Sequence, residues 1–538
     1  LTTPRRGGSQ AHDLFFSGPQ GNVKCAWRPA GTASLDSVFR PGNESVSVLL
    51  DVSDCLQPGS QPQSTGPIQT RVKSLFSRSF IPIAVAVVAV VAVMLWLTST
   101  GDDGLQRRVP GTDLAPEGEG RAGANPVLAG TLIQGDGQAA ANLDGAWPAF
   151  RGPNRDGISP ERTPLARTWG PGDPRKLWSV EVGEGFGGAA VAHGRVYLMD
   201  YDQGKKQSAL RCLSLADGRE IWRYAYPLSV KRNHGMTRTV PAVTDRYVVA
   251  MDPKCNVVCT DATSGELRWA ISLVREHGAA VPPWYTGQCP LIDGDKVIHA
   301  PAGNETLLLA VELATGKTIW KTPNPSSWKM THSSVMPMDW AGRRMYVYCG
   351  SGGVAGVAAS DGTLLWETKD WKISIATVPS PLVLDQGRIF LSGGYNAGSM
   401  MLQLQEDSGK IIPRTLFRLP PETFGSTQHS PVLLDGNIYG IRANGHFVCL
   451  DLQGKVVWSS GSGAQYGLGS FLAASGLIFA LNDNGLLSLF EAPAGKFNLL
   501  AKAQVLKGQE SWGPMALADG RLLVRDLTTV VCLDVAAK

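Results

Sequence analysis

A glycine followed four residues later by a tryptophan recurs along this chain of 538 residues. The recurring pairs are Gly218 and Trp222, Gly265 and Trp269, Gly316 and Trp320, Gly362 and Trp366, and Gly454 and Trp458. Successive tryptophans are 47, 51, 46 and 92 residues apart, and the last step is twice 46. A period of about 40 to 50 residues with one turn and one tryptophan per unit is typical of a radial β-repeat. We predict that the glycines occupy turns with positive φ and that the tryptophans are structural, filling the space between sheets.

Two weaker copies complete the series. The double step between Trp366 and Trp458 leaves room for a copy at Gly409, with Pro413 in the place of tryptophan. A further copy follows Gly495, with Leu499 in that place.

One unit, residues 429–458, shows how the repeat folds. The apolar run 430–434 ends at an Asp-Gly turn, and the strand-like run 438–441 ends at Asn444-Gly445, which is a strong hairpin signal. The runs 446–450 and 456–458 supply two more strands. Four antiparallel strands form one propeller blade, which buries its faces only when neighbouring blades stack on it.

The predicted fold is all-β, an eight-bladed β-propeller over residues 147–538. The last unit ends near Asp534 without its fourth strand, and an orphan strand at 176–182 precedes the first unit. We expect the orphan strand to complete the eighth blade, because a ring closed by both chain ends leaves no free edge. Seven blades are the alternative, since the copies at Pro413 and Leu499 are weak.

The repeats resemble the pyrroloquinoline-quinone-type (PQQ-type) repeats of quinoprotein dehydrogenases and of BamB-like propellers from the bacterial outer-membrane β-barrel assembly machine. The segments 213–222 and 311–320 carry this resemblance most clearly. The lead-in phrase at 147–159 is similar to that of propellers from planctomycete-type bacteria. The resemblance implies the fold, and it implies either a protein-binding role in envelope assembly or a quinone-dependent oxidoreductase.

The N-terminal part is predicted to be a tail, an anchor and a linker. Residues 1–78 are predicted to be a disordered cytoplasmic tail, because most of this segment is rich in Gly, Pro, Ser and Gln and lacks hydrophobic periodicity. Phe80–Leu97 has no charged residue, and this length of apolar sequence approaches that of a transmembrane helix, which we place at 79–98. Residues 99–146 are predicted to be a flexible linker.

Charges on either side of the apolar run predict its orientation. Arg71, Lys73 and Arg78 precede it, and Asp102 and Asp103 follow it. The basic side stays in the cytoplasm, so we expect a single-pass protein of the inner membrane with its propeller on the periplasmic, extracytoplasmic side. A cleaved signal peptide is the alternative, although the apolar core of such a peptide is usually about 7 to 15 residues long.

Charge and cysteine positions exclude several kinds of site. The formal net charge is +4, and the chain has neither a basic stripe nor a zinc-type spacing, so we expect no nucleic-acid partner. Four cysteines share one register of the repeat, and Ala310 occupies the same register in another unit: Cys212, Cys259, Cys449 and Cys532. We interpret this register as a small, buried position, and we expect no metal site.

The predicted channel wall argues against catalysis. Aligned first strands place these residues in one column around the channel: Thr239, Gln288, Ser333, Pro379, His429, Gly469 and Trp512. None is acidic, whereas a quinone dehydrogenase needs a carboxylate base and oxygen ligands for a cation. The resemblance also implies a disulfide between adjacent cysteines in such enzymes, and this chain has no Cys-Cys pair. We therefore favour a non-enzymatic protein without a cofactor; PQQ is not supported.

The loops that lead into the first strands carry aromatic and cationic residues. The candidate partner-binding residues on this rim are Arg232, His234, Trp284, Tyr285, Trp328, Trp371, His429 and Trp512. Such groups suit a protein partner, and Asn444 is expected on the opposite rim. The alternative is that several aromatics cap the ends of the sheets. The favoured function is a membrane-tethered, protein-binding scaffold in envelope or outer-membrane protein assembly; the alternatives are a PQQ-dependent oxidoreductase and a glycan- or small-ligand-binding module.

Overall fold

The computed structural model describes residues 85–95, 124–492, 495–508 and 510–538. Contacts divide the chain into two units, Leu1–Gly104 and Leu105–Lys538. In the first unit, residues 85–95 are helical and their side chains are exposed. Among the described residues, no helix combines the length and apolarity that crossing a membrane requires. The predicted tail and the remainder of the predicted 79–98 anchor lie outside the described residues, as do linker residues 99–123.

The second unit contains eight sheets in which the four strands of each blade pair antiparallel, and three strands precede the first complete blade. These are β1 (Thr131–Gln134), β2 (Ile158–Ser159) and β3 (Arg175–Glu181). Blade 1 contains β4 (Ala190–Ala192), β5 (Arg195–Asp202), β6 (Gln207–Ser214) and β7 (Glu220–Pro227). Blade 2 contains β8 (Ala242–Val243), β9 (Tyr247–Met251), β10 (Asn256–Asp261) and β11 (Leu267–Ser272). Blade 3 contains β12 (Leu291–Asp293), β13 (Lys296–His299), β14 (Thr306–Glu312) and β15 (Thr318–Pro323).

The remaining blades repeat the same pattern. Blade 4 contains β16 (Met336–Trp340), β17 (Arg343–Gly350), β18 (Gly353–Ala358) and β19 (Leu364–Thr368). Blade 5 contains β20 (Leu382–Val383), β21 (Arg388–Gly393), β22 (Gly398–Asp407) and β23 (Lys410–Leu419). Blade 6 contains β24 (Val432–Leu434), β25 (Asn437–Ile441), β26 (Phe447–Leu450) and β27 (Val456–Ser459). Blade 7 contains β28 (Phe471–Ala474), β29 (Leu477–Leu481), β30 (Leu486–Glu491) and β31 (Leu499–Gln504), and blade 8 begins with β32 (Ala516–Ala518), β33 (Arg521–Arg525) and β34 (Thr529–Asp534).

Both ends of the propeller sequence build blade 8. Strand β3 pairs antiparallel with β34, from Arg175 opposite Asp534 to Glu181 opposite Thr529. An ion pair of 3.0 Å joins Arg175 and Asp534 at one end of this pairing. The predicted closure by the orphan strand is confirmed, and the number of blades is eight.

The ordered part of this unit begins before residue 147, which corrects the expectation of a flexible linker over all of 99–146. Pro126–Ala129 form a 3₁₀ helix in which Val127 is fully buried. Strand β1 pairs with β7 and adds a fifth strand to the outer edge of blade 1. The pairing and the burial of Val127 hold this segment on the blade. Two other short helices, Leu273–His277 and the 3₁₀ helix Asp385–Gly387, lie between strands.

The turn glycine of the next blade packs against Trp222, Trp269 and Trp320, whereas a Cβ atom added to Gly409 or Gly495, which follow Trp366 and Trp458, would meet no atom within 4 Å. A Cβ atom added to Gly265 would lie 2.5 Å from the ring of Trp222, and one added to Gly362 would lie 2.4 Å from Trp320. The tryptophan side of the contact is buried, with Trp222 fully buried and Trp320 only 7% exposed. The glycines at these contacts have φ near +75°, so both the turn and the close ring contact require glycine.

The same contact closes the ring. Trp178 of β3, in blade 8, would lie 2.7 Å from a Cβ atom on Gly218 of blade 1. Its indole N–H donates to the carbonyl of Leu215, at 3.0 Å. Trp269 donates in the same way to Leu313 in the following blade, at 2.8 Å. Blade 8 therefore joins blade 1 by the contact that joins interior blades.

The cysteine register is a small, buried position, as expected. Cys212 faces Trp222, Cys259 faces Trp269, and a β-bulge follows each of these pairs. The remaining pairs of this register are Ala310 with Trp320, Gly356 with Trp366, Cys449 with Trp458, and Cys532 with Trp178. The four cysteines are buried and unpaired. The residue beside each indole is small because the ring occupies the space there.

The two weak repeats use different residues from those expected. In blade 5, Phe417 and not Pro413 occupies the tryptophan place, because it faces Met401 at the bulge. In blade 7, Ala501 and not Leu499 faces Leu489 at that place. The four-residue step from turn glycine to tryptophan does not apply in blade 5, because β22 and β23 each extend to ten residues. The turn glycine therefore lies farther along the chain from the tryptophan position.

Substituting one inter-blade tryptophan will destabilise the ring. Trp320→Ala removes a ring that is buried between blades 3 and 4, so we expect the free energy of unfolding to fall by about 3 to 5 kcal/mol in urea titrations. The matched control is Trp340→Ala, because Trp340 is only partly buried, at the end of β16. Unchanged stability of the Trp320 variant would contradict a structural role for the repeat.

Candidate functional site: a central cavity and its mouth

The two faces of the propeller follow from the strand directions. Strands alternate in direction, so hairpins between second and third strands share a face with the connections from fourth strands to the next first strands. We call this the mouth face. Blade 6 illustrates it, since His446 forms a β-bridge with Gln465 and Tyr466 donates its backbone N–H to Gly445. Asn444 therefore lies on the mouth face, and its expected place on the opposite rim is wrong.

The lead-in segment 147–159 passes inside the ring of first strands, and we call it the plug. Trp147 forms a β-bridge with Val191 of β4, and the carbonyl of Pro148 accepts a hydrogen bond from Val243 of β8 at 2.8 Å. At the other end, β2 pairs in parallel with β28, the first strand of blade 7. The plug therefore contacts the first strands of blades 1, 2 and 7 and forms a floor within the channel.

Arg151 fixes the plug to blade 6. Its guanidinium donates to the carbonyls of Ser430 at 2.9 Å and Pro431 at 2.7 Å. It also donates to Arg155 at 3.0 Å and Asp156 at 2.8 Å within the plug. Burial lowers the pKa of Arg151 from 12.5 to about 10, so the group remains charged at neutral pH. Four backbone carbonyls occupy four of its five N–H groups.

Above the plug lies a cavity of about 370 Å³. Its floor includes Trp147, Phe150 and Arg151 of the plug. The walls and opening include these aromatic and polar side chains: Phe186, His234, Arg238, Trp284, His332, Tyr395, Gln428, His429, Phe471 and Trp512. None of the residues that line the cavity is Asp or Glu. The cavity is thus largely apolar, with cationic and neutral polar groups.

Two buried histidines contribute to the wall. His429 is 8% exposed, and neither ring nitrogen makes a hydrogen bond of acceptable geometry. Burial lowers the pKa of His429 from 6.5 to about 4, although the backbone at Leu468 and Gly469 opposes part of the shift. Burial likewise lowers the pKa of His332 to about 3, and its ring lies 6.4 Å from that of Trp284. Both imidazoles are therefore neutral at neutral pH.

Arg238 is the second arginine at the cavity. It donates to the backbone carbonyls of Gly235 at 3.0 Å and His234 at 2.9 Å, and its guanidinium lies 5.4 Å from the ring centre of Phe186. Burial lowers its pKa to about 10, which leaves it charged at neutral pH. Within the described ranges, Arg238 forms no ion pair.

The structure divides the predicted rim residues into accessible and buried groups. Trp328 and Trp371 are 4% and 3% exposed and pack within hydrophobic cores, which fits the alternative that rim aromatics cap sheets. Tyr285 and His429 are also buried. The accessible members are Arg232, His234, Trp284 and Trp512. Trp512 stacks on Phe186 at 5.0 Å and donates to Asp483 at 2.8 Å.

The predicted channel column only partly lines the cavity. His429 and Trp512 do so, whereas Thr239 donates to the carbonyl of Met251 at 2.6 Å and Gln288 bonds the backbone of Ala300. These two side chains therefore form hydrogen bonds within their own blades and do not line the cavity. The sequence analysis did not identify Arg238, which is the residue before Thr239 in the chain. It also did not identify the plug as the cavity floor.

The donor set does not fit a quinone with a bound cation. Such a centre needs hard oxygen ligands and a carboxylate base, and the lining contains neither Asp nor Glu. In the part of the chain that the structure describes, no cluster of three or more His, Cys, Asp or Glu residues suits a metal ion. No catalytic step through a quinone is derived for this cavity.

A sequence model of the PQQ-like repeat family PQQ_2, described as outer membrane protein assembly factor BamB, matches residues 161–280 and 205–460. These matches together span more than half of the chain. The chain belongs to this family. A BamB-family relative, outer membrane protein assembly factor BamB of Moranella endobia (strain PCIT), is 23% identical over 336 residues, which cover 60% of this chain and 70% of the relative.

Solved structures share the propeller fold. A europium-containing methanol dehydrogenase superposes with a TM-score of 0.50 at 14% identity, covering 71% of this chain and 89% of the enzyme. The crystal structure of BamB from Moraxella catarrhalis has a TM-score of 0.46 at 14% identity, covering 67% of this chain and 99% of that protein. At these identities, the dehydrogenase likeness describes the fold and not the chemistry.

His429 will make stability depend on pH. The unfolded histidine binds a proton near pH 6.5 and the folded one only near pH 4, so acidification favours unfolding. Once the pH is below both pKa values, this difference lowers the free energy of unfolding by about 3 kcal/mol. We expect the wild type to lose more stability than His429→Gln between pH 7 and pH 4, measured by urea titration at each pH. His193→Gln, at an exposed histidine, is the control, and parallel pH profiles of wild type and His429→Gln would contradict the assignment.

Proposed function

We propose that this chain is a membrane-tethered, extracytoplasmic scaffold that binds a protein partner through its mouth face, in outer-membrane or envelope protein assembly. Membership of the BamB family supports the assembly role, as does the name of the Moranella relative. The observation that carries the proposal is the set of aromatic and cationic groups that remain accessible on one face.

Most of the accessible groups lie at the opening of the cavity, and Arg232 is on the loop that carries His234. Arg232 and His234 are exposed, and Trp284 and Trp512 are partly exposed at the opening. Tyr395, 41% exposed, adds another aromatic ring at the same opening. Trp, Tyr and Arg are the residues most enriched at the energetic centres of protein interfaces. The mouth therefore has a composition that suits a protein partner.

Charge on this face favours an acidic group on the partner. Arg232 pairs with Glu184 at 2.6 Å, but the arginine side chain remains 58% exposed. An exposed ion pair contributes little to stability, so a partner carboxylate can replace Glu184 at low cost. Burial of an ion pair between Arg232 and a partner carboxylate would strengthen the attraction between the two charges, because the surrounding water is removed.

The location on the extracytoplasmic side forms part of the proposal. Its support is the uncharged run Phe80–Leu97 with basic residues before it, and the helical state of 85–95 agrees with such a segment. A membrane-impermeant biotin reagent on intact spheroplasts should label lysines of the propeller, such as Lys372. Labelling only after lysis would contradict the proposed side of the membrane.

Variants on the two faces test the binding surface. We expect Trp284→Ala and Arg232→Glu each to weaken partner capture by at least about fivefold, equivalent to about 1 kcal/mol. The measurement is quantitative mass spectrometry of proteins that the immobilised full chain captures from detergent-solubilised membranes.

Matched controls lie at the turns between first and second strands, on the opposite face. Trp340→Ala changes the same residue type there, and Arg343→Glu changes an arginine that is also ion-paired, with Glu406 at 3.1 Å. Both should retain capture of outer-membrane assembly proteins. Equal losses on the two faces, or capture without any assembly component, would contradict the proposal.

A further inference from the structure

We propose that the central cavity binds a small organic monoanion, with an apolar body between the aromatic walls and one carboxylate at Arg238. The inference does not depend on the scaffold function, because it concerns the interior of the ring and not the partner surface. Three features of the cavity support it: its closed floor, its charge, and an unpaired polar group in its wall.

The shape of the cavity suits a small molecule. A volume of about 370 Å³ lies within the range of small-ligand sites, which are concave and mainly apolar. Trp147 and Phe150 of the plug close the floor, so a ligand enters from the mouth face. Phe186, Trp284 and Phe471 supply aromatic surface for an apolar body.

The fixed charge of the cavity selects an anion. Arg238 and Arg151 are both charged at neutral pH, and no lining residue supplies a carboxylate. His332 and His429 are neutral and add no charge. Arg238 is partly buried and has no carboxylate within ion-pair distance among the described residues, although the charge of Glu510 partly stabilises it. A ligand carboxylate in direct contact would offset the remaining cost of burying this cation.

The two arginines differ in the donors that they can offer. Arg151 donates to four backbone carbonyls, which leaves one of its five N–H groups, whereas Arg238 donates to three, which leaves two. Arg238 is held by carbonyls of its own loop, and its face lies over Phe186 at the cavity wall. One arginine of this kind pairs with one carboxylate. A ligand with several carboxylates would leave the others unpaired against aromatic rings, so we infer a monoanion.

His429 supplies the independent evidence for a ligand. The side chain is more than nine-tenths buried and lines the cavity, and neither ring nitrogen makes a hydrogen bond of regular geometry, although the backbone at Leu468 and Gly469 lies close to the ring. A neutral imidazole offers one donor and one acceptor, and leaving both unpaired in a buried site costs free energy. A ligand carboxylate oxygen can accept from the donor nitrogen, which explains a polar side chain at this position.

Calorimetric titration of the purified full chain tests the site with three named acids: 1-naphthoate, 4-phenylbutyrate and octanoate. We expect at least one acid to bind with one-to-one stoichiometry, at least about tenfold more tightly than its neutral amide. Arg238→Gln should weaken this binding by at least about tenfold, and Arg238→Lys should retain part of it. Arg414→Gln, on the outer strand β23, is the matched control and should bind as the wild type does.

A second variant keeps the test decisive if Arg238→Gln fails to fold. Gln428→Trp fills cavity volume while leaving both arginines in place, and it should abolish acid binding with the circular dichroism spectrum preserved. The proposal is overturned by the absence of saturable binding for all three acids at millimolar concentration. Equal affinity for acid and amide overturns it too, as does unchanged binding in folded cavity variants. These outcomes are separate from the test of partner capture, because the cavity variants change Arg238 and Gln428, whereas the capture variants change Arg232 and Trp284.

Discussion

The rest of this structure depends on the contact between an aromatic ring and the turn glycine of the next blade, which joins five of the eight pairs of neighbouring blades in the described part of the ring. A single four-stranded blade cannot bury both of its faces, so the blades are stable only as a stack. The indole fills the space between two diverging sheets, and glycine in the turn lets the ring approach to van der Waals contact. Because Trp178 makes this contact with Gly218, the stack closes into a ring without a first or last interface.

Closure of the ring also determines where a ligand and a partner can bind. The first strands surround a channel, and the plug closes it internally through Arg151 and strand pairing. The channel thereby becomes a cavity with a floor, and its opening shares a face with the accessible groups Arg232 and Trp284. The cavity and the surrounding rim differ chemically, since the interior is largely apolar with two arginines and neutral histidines, whereas Arg232 and His234 on the rim are exposed.

The fold was predictable because the sequence repeats, and the prediction failed where a repeat is irregular. The Gly-to-Trp spacing predicted the blades and the closing strand, since each copy carries the same local signal. Counting failed at Pro413, where the extended β22–β23 hairpin places Phe417 in the tryptophan position. Counting residues from the turn glycine cannot detect extra residues in a hairpin, because pairing across the sheet determines which residues face each other.

The site was less predictable, since its parts come from distant segments. The rim loops were identified correctly as aromatic, but burial of Trp328 and Trp371 depends on packing beneath neighbouring loops. The plug was visible only as a distinctive phrase, because its hydrogen bonds join residues nearly 280 positions apart, as between Arg151 and Ser430. The only feature of the sequence that distinguished the plug was its closely spaced Trp, Arg and Gly residues.

Native-state hydrogen exchange tests the closed ring most directly. Strand β34 lies between β33 and β3 only if the N-terminal strand completes blade 8, whereas without β3 it would be an exposed edge. The reference is β18 of blade 4, a third strand that lies between β17 and β19. The account predicts that paired amides of β34 and β18 exchange with protection factors within about tenfold of each other. Exchange of β34 about a hundredfold or more faster than β18, as expected for a frayed edge, would contradict the closed ring.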